Sequence, residues 1–175
     1  DMRQKALVSY DAYLTAYPKS EISSWAKLGK ARVLYRDGNF DEALGNIMSI
    51  MEDDITDSIR NHTYYLLGEI KLTQGKDDEA IRYLSGIEEN HPDYMFAQIS
   101  LSTIYAKKNN TAMMIENLEN CINTSAKKPA QNEALNRGLL HMGISFLEEG
   151  ALSKAIVALR MVPDTSTYYE DALYA

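Results

Sequence analysis

The chain has 175 residues, 45% of them hydrophobic and 25% charged, which is the composition of a folded protein and excludes a disordered one. A formal net charge of −7 repels phosphate backbones and argues against nucleic acid as a partner. No apolar run approaches the roughly 20 residues a helix needs to cross a bilayer, and the single cysteine, Cys121, excludes an internal disulfide.

In chain order, Ala6, Tyr10 and Tyr13 recur at spacings of four and three, a helical period that ends at Tyr17-Pro18. Ser20 is placed to cap the next helix, expected from about Ile22 to Asp37 and stopped by Gly38. Phe40, Ala43, Ile47 and Ile50 line a second helix, closed by Glu52-Asp53-Asp54. The clearest stretch is Tyr64 to Pro92: an apolar run containing Gly68 stops at Gly75, and a second run containing Ala80 stops at Pro92. The pattern then recurs twice. Leu101, Ser102 and Tyr105 precede Asn109-Asn110, and Met114, Leu118 and Cys121 follow. After a longer connection from Thr124 to Asn132, Leu139, Met142, Gly143 and Phe146 lead to Gly150. Leu152, Ala155, Leu159 and Val162 line the helix ended by Pro163, and Tyr168 to Ala175 opens another helix.

The turn residues Gly38, Gly75, Asn109 and Gly150 are separated by 37, 34 and 41 residues. A unit of about 34 residues, helix–turn–helix, with small residues at fixed places, resembles the tetratricopeptide repeat (TPR). In that frame Gly68, Gly143, Ala31 and Ser102 share position 8, and Ala43, Ala80 and Ala155 share position 20. Small residues there let two antiparallel helices approach closely. The resemblance implies an all-α fold, a right-handed superhelical solenoid of antiparallel helix pairs. The expected organisation is a half repeat over 1–19, repeats over 20–55, 56–92, 93–128 and 129–164, and the start of another over 165–175. Both ends stop within a repeat and carry tyrosines, so the chain is expected to be a piece of a longer array.

In this family the concave groove is lined by positions 2, 5, 9, 12 and 13 of each first helix. The resemblance thereby nominates Trp25, Leu28, Arg32, Tyr35 and Arg36, then His62, Tyr65, Glu69, Leu72 and Thr73. It adds Phe96, Ile99, Thr103, Ala106 and Lys107, and finally Arg137, Leu140, Ile144, Leu147 and Glu148. Trp, Tyr and Arg dominate interface energetics, so this stripe is expected to bind a peptide or helix of a partner protein. Trp25, Tyr65 and Phe96 could equally pack against neighbouring helices. The branch that clamps a chaperone's C-terminal carboxylate carries lysine at position 5 and asparagine at position 9; Leu28, Arg32, Tyr65 and Glu69 stand there instead. Tyr10-x-x-Tyr13-Leu-x-x-Tyr17-Pro18-x-Ser20 is similar to bacterial cell-envelope TPR proteins of the Tol-Pal coordinator and outer-membrane assembly lipoprotein type. That likeness implies a periplasmic setting ahead of a cytoplasmic one.

No catalytic motif is present. His62, His91 and His141 are far apart in sequence, with no second ligand at a familiar metal spacing, and there is no phosphate loop or nucleophile elbow. Acidic Asp77-Asp78-Glu79 suits the positive start of a helix, and Cys121 reads as a core thiol. The expectation is a non-enzymatic interaction scaffold without cofactor or metal. The alternatives are a structural spacer that self-assembles through its exposed ends as a homo-oligomer, or a regulatory module of a larger protein.

Overall fold

A computed structural model describes residues 2–20, 22–125 and 132–175. The described residues form helices only: α1 (Met2–Ala16), α2 (Ser23–Arg36), α3 (Phe40–Met51), α4 (Asp57–Thr73) and α5 (Asp77–Leu84), then α6 (Tyr94–Lys107), α7 (Thr111–Ser125), α8 (Asn132–Glu148), α9 (Leu152–Arg160) and α10 (Tyr169–Tyr174). They divide into two compact units, Asp1–Asp93 and Tyr94–Ala175. Most of the long connection expected over 124–132, namely 126–131, lies outside the described residues.

Each pair is closed by the same backbone device. Gly38, Gly75, Asn109 and Gly150 all adopt positive φ, between 57° and 78°. The residue after each donates back to a carbonyl five positions earlier: Asn39 to Leu34 at 2.9 Å, Lys76 to Lys71 at 2.9 Å, Asn110 to Tyr105 at 2.8 Å and Ala151 to Phe146 at 2.7 Å. The left-handed residue itself bonds three back, as Gly75 N–H does to Leu72 at 3.0 Å. This is the Schellman cap, which satisfies the last carbonyls of the helix and reverses the chain. Nothing lies within 4 Å of a Cβ built at Gly38, Gly75 or Gly150, so the backbone angle and not crowding demands glycine.

Close approach operates inside the pairs. A Cβ on Gly68 would sit 2.5 Å from Cγ and Cδ2 of Leu84, and one on Gly143 would sit 2.5 Å from the same atoms of Leu159. The leucine of the second helix is therefore a knob seated on bare backbone of the first. In the first unit Leu34, Ala43, Ile47, Ile50, Ile59 and Ile70 form the core, and Leu7 of α1 packs on it. In the second unit Met95, Met114, Leu118, Leu135 and Leu139 join Ala155, Ala158 and Val162. Cys121 is fully buried there, its Sγ donating to the Met95 carbonyl at 3.4 Å, and burial raises its thiol to about 12.

Two local expectations are corrected. Ser20 does not cap α2: Ile22 holds the N-cap place with no side-chain bond. The Ser20 hydroxyl instead lies 2.9 Å from the Tyr13 hydroxyl and 3.2 Å from that of Ser23, tying α1 to the start of α2. The helix expected to run to Pro92 ends at Leu84. Ser85-Gly86 are weak helix formers, and the chain continues in tighter turns, Gly86 N–H to Tyr83 at 3.1 Å and Ile87 N–H to Leu84 at 3.4 Å. Ile87 still reaches the interior and is buried.

Candidate functional site

In the first unit α2 and α4 are first helices, and their nominated residues divide by burial. Trp25 is 41% exposed, Arg32 and Arg36 are exposed, and Tyr35, His62, Tyr65, Glu69 and Leu72 are half-buried. Leu28 is only 2% exposed and belongs to the core, so it does not line a surface. A leucine has no polar tip to carry into water, and burying it is worth about 1.5–3 kcal/mol, so it turns inward. Trp25 borders a depression of about 680 Å³ with Ser24, Asp53, Thr56 and Ile59. Lys27 crosses towards it, 2.7 Å from Asp53.

The Tyr65 hydroxyl is held neutral: burial first, then the charges of Glu69 and Asp93 and the hydroxyl of Tyr35, push its pKa well up, against the pull of Arg32. It thus keeps its proton in a setting flanked by both signs of charge.

The second unit shows a parallel arrangement between its first helices α6 and α8. Ile99, Thr103, Ala106 and Lys107, all nominated from sequence, line a depression of about 370 Å³. The opposite wall is not the nominated stripe. It is Gly138, His141, Met142, Ser145, Phe146 and Glu149. Leu140, at 6% exposure, joins the core, and Arg137 is exposed outside this depression. Phe96 is also exposed.

One cluster in the first unit corresponds to no motif in the sequence. The ring of His62 stands edge-on to Trp25, centroids 5.5 Å apart, and edge-on to His91 at 4.3 Å. His62 Nδ1 is hydrogen-bonded to Asp93 Oδ2, and the Asp93 backbone N–H donates to His91 Nδ1 at 3.2 Å. His91 is 6% exposed, and its Nε2 has no hydrogen-bond partner. Leaving such a group unpaired costs about 1–3 kcal/mol. Burial and the neighbouring His62 lower the His91 pKa. Asp93, Glu88 and the Ser58 backbone oppose this, the last near enough to favour a proton without a hydrogen bond of normal geometry. Thr56 caps α4, accepting from Ile59 N–H at 3.4 Å, and so fixes the helix start that carries His62. Position 2 of a first helix and the turn after the second helix lie at the same end of a pair, which is the signal that could have placed these residues together.

Residues 62–94 match the tetratricopeptide repeat family. The TPR match covers α4 from His62 onward, α5 and the turn bearing His91 and Asp93. Among solved structures, the chain is similar to a crystal structure of nearly identical TPR-like repeats from Podosopora anserina, assigned there to a kinesin light chain. The two share 16% identity at a TM-score of 0.65, covering 91% of this chain and 84% of that one. No curated protein matches the sequence. The chain therefore has the fold of a TPR-like helical-repeat solenoid, all-α as its periodicity predicts. TPR repeats are in general protein–protein interaction modules, typically scaffolds without catalytic activity. No described helix is long and apolar enough to cross a membrane.

Proposed function

We propose that first helices bind an extended segment of a partner protein, through a patch on α2 and α4 in the first unit and a patch of its own on α6 and α8 in the second. The observation that carries this reading is Trp25. The only tryptophan of the chain is left 41% exposed on α2, outside the core of its unit and edge-on to His62, with Arg32 and Arg36 further along the same helix. Tryptophan, tyrosine and arginine are the residue types that dominate binding energies. The depression lined by Ile99, Thr103 and Phe146 supports it, since it offers an apolar recess on the equivalent helices of the second unit. Replacing Trp25 and Tyr65 together by alanine is expected to weaken a captured partner by at least about 2 kcal/mol, the scale of a hot-spot residue. Circular dichroism should be unchanged. A folded double variant with unaltered affinity would sink the proposal.

A second reading, self-association, is favoured by Leu152, Ile156, Leu173 and Tyr174, which are exposed on α9 and α10. Light scattering over a concentration series tests it, and a strict monomer removes it. The periplasmic setting is carried by the Tyr10-x-x-Tyr13-Leu-x-x-Tyr17-Pro18-x-Ser20 phrase. Its hydroxyl contacts already give that phrase a structural use.

A further inference from the structure

We propose that His62, His91 and Asp93 form a binding site for one divalent transition-metal ion of the zinc class. Each residue places one ligand-capable atom within 4.8 Å of those of the other two. Bonds of about 2.0–2.1 Å in a tetrahedral site set ligand atoms about 3.3 Å apart, so side-chain rotations of modest size close the set. Two imidazole nitrogens and one carboxylate oxygen suit zinc and its borderline neighbours, whereas calcium and magnesium take oxygen shells.

Two further features suit a cation. The two imidazole rings meet at 4.3 Å, edge-on, which brings nitrogens of both within reach of one ion. The Asp93 side chain is about 10% exposed, and it offsets one of the ion's charges within the site. When the ion enters, the His62 Nδ1–Asp93 Oδ2 hydrogen bond is replaced by two bonds to metal, the His62 ring proton passing through solvent to Nε2. His91 binds through Nδ1, giving up the Asp93 N–H that it accepts and keeping its own proton on Nε2. Three protein ligands leave a fourth position for water, a pattern of open rather than purely structural sites. His62, whose side chain is 18% exposed, is the ligand most open to solvent and stands against Trp25.

The test uses the untagged chain freed of metal by chelation and titrated with Zn²⁺, and separately with Co²⁺ for its ligand-field absorption. One equivalent is expected to bind, with a tetrahedral or five-coordinate cobalt spectrum and a raised melting temperature. Mg²⁺ and Ca²⁺ are expected to do nothing. His62→Gln and His91→Gln should each weaken Zn²⁺ binding by more than the roughly 10–100-fold that loss of an outer-shell partner costs. His141→Gln, exposed on α8, should leave it unchanged. Should either variant fail to fold, side-chain NMR of the wild type decides: Zn²⁺ must shift His62 and His91 resonances before that of His141. Absence of stoichiometric binding, or equal perturbation of all three histidines, overturns the site.

Discussion

Adding one methyl group at Gly68 tests how the helix pairs are packed. A Cβ there meets Leu84 Cγ and Cδ2 at 2.5 Å, well inside contact distance. Leu84 is fully buried and cannot swing away. Alanine favours a helix over glycine by about 0.8–1.0 kcal/mol, whereas overpacking a closed core costs about 1–3 kcal/mol. Gly68→Ala should therefore destabilise by up to about 2 kcal/mol, a fall of up to about 8 °C in Tm for a chain of this size. Leu84→Ala alone should cost about 2–5 kcal/mol through the cavity it leaves. In that background the methyl has room, and adding Gly68→Ala should stabilise by about 1 kcal/mol, the helix-propensity gain alone. The sign of the glycine substitution reverses, and the cycle gives a coupling of about 1–3 kcal/mol, the overpacking cost itself. Urea unfolding followed by circular dichroism measures all four proteins. If Gly68→Ala has the same effect in both backgrounds, the knob-on-backbone account is wrong.

Three further outcomes follow from the geometry. Gly75→Ala should cost about 1–2 kcal/mol because φ is 71°, and Gly75→Asn should cost less, since Asn109 already holds the equivalent turn at φ 57°. Comparable losses for the two substitutions in urea titrations would contradict the turn argument. Cys121 should resist a thiol reagent until the chain unfolds; rapid labelling of the native protein would remove it from the core. Its thiol is raised from about 9 to about 12 by burial, so the folded state holds the proton more tightly than the unfolded one. Stability from this group is complete below about pH 9 and declines towards pH 12, and Cys121→Ala should flatten that part of the profile.

How much of this was legible in sequence depended on whether the cause was local. Gly38, Gly75, Asn109 and Gly150 were readable because a left-handed backbone restricts residue type at one position. Gly68 and Leu84 were readable because the repeat frame pairs their positions. The face was only partly readable. Counting frame positions nominated Leu28 and Leu140, but an aliphatic side chain in reach of a core enters it, and both are buried. On α8 the wall of the depression falls one residue on from the frame, at Gly138, His141, Ser145 and Glu149. The His62–His91–Asp93 cluster was not legible from motif spacing. Metal motifs are recognised at separations of a few residues, while His62 and Asp93 lie 31 residues apart and meet only because α5 returns the chain to the start of α4. Ser20 misled for a related reason: its hydroxyl is shared between Tyr13, seven residues back, and the Ser23 hydroxyl, and accepts from no backbone N–H of the helix that follows.

The central claim, that partners bind the first-helix face, is tested most directly by site-specific photo-crosslinking. A photoreactive amino acid replaces Trp25, Tyr65 or Ile99 on first helices, and Met48 or Ser153 on second helices, the latter two exposed. The partner segment identified by mass spectrometry is then synthesised and titrated against the wild type. Crosslinks from positions 25, 65 and 99, with none from 48 and 153, are the predicted result. Crosslinks concentrated at 48 and 153 would contradict it.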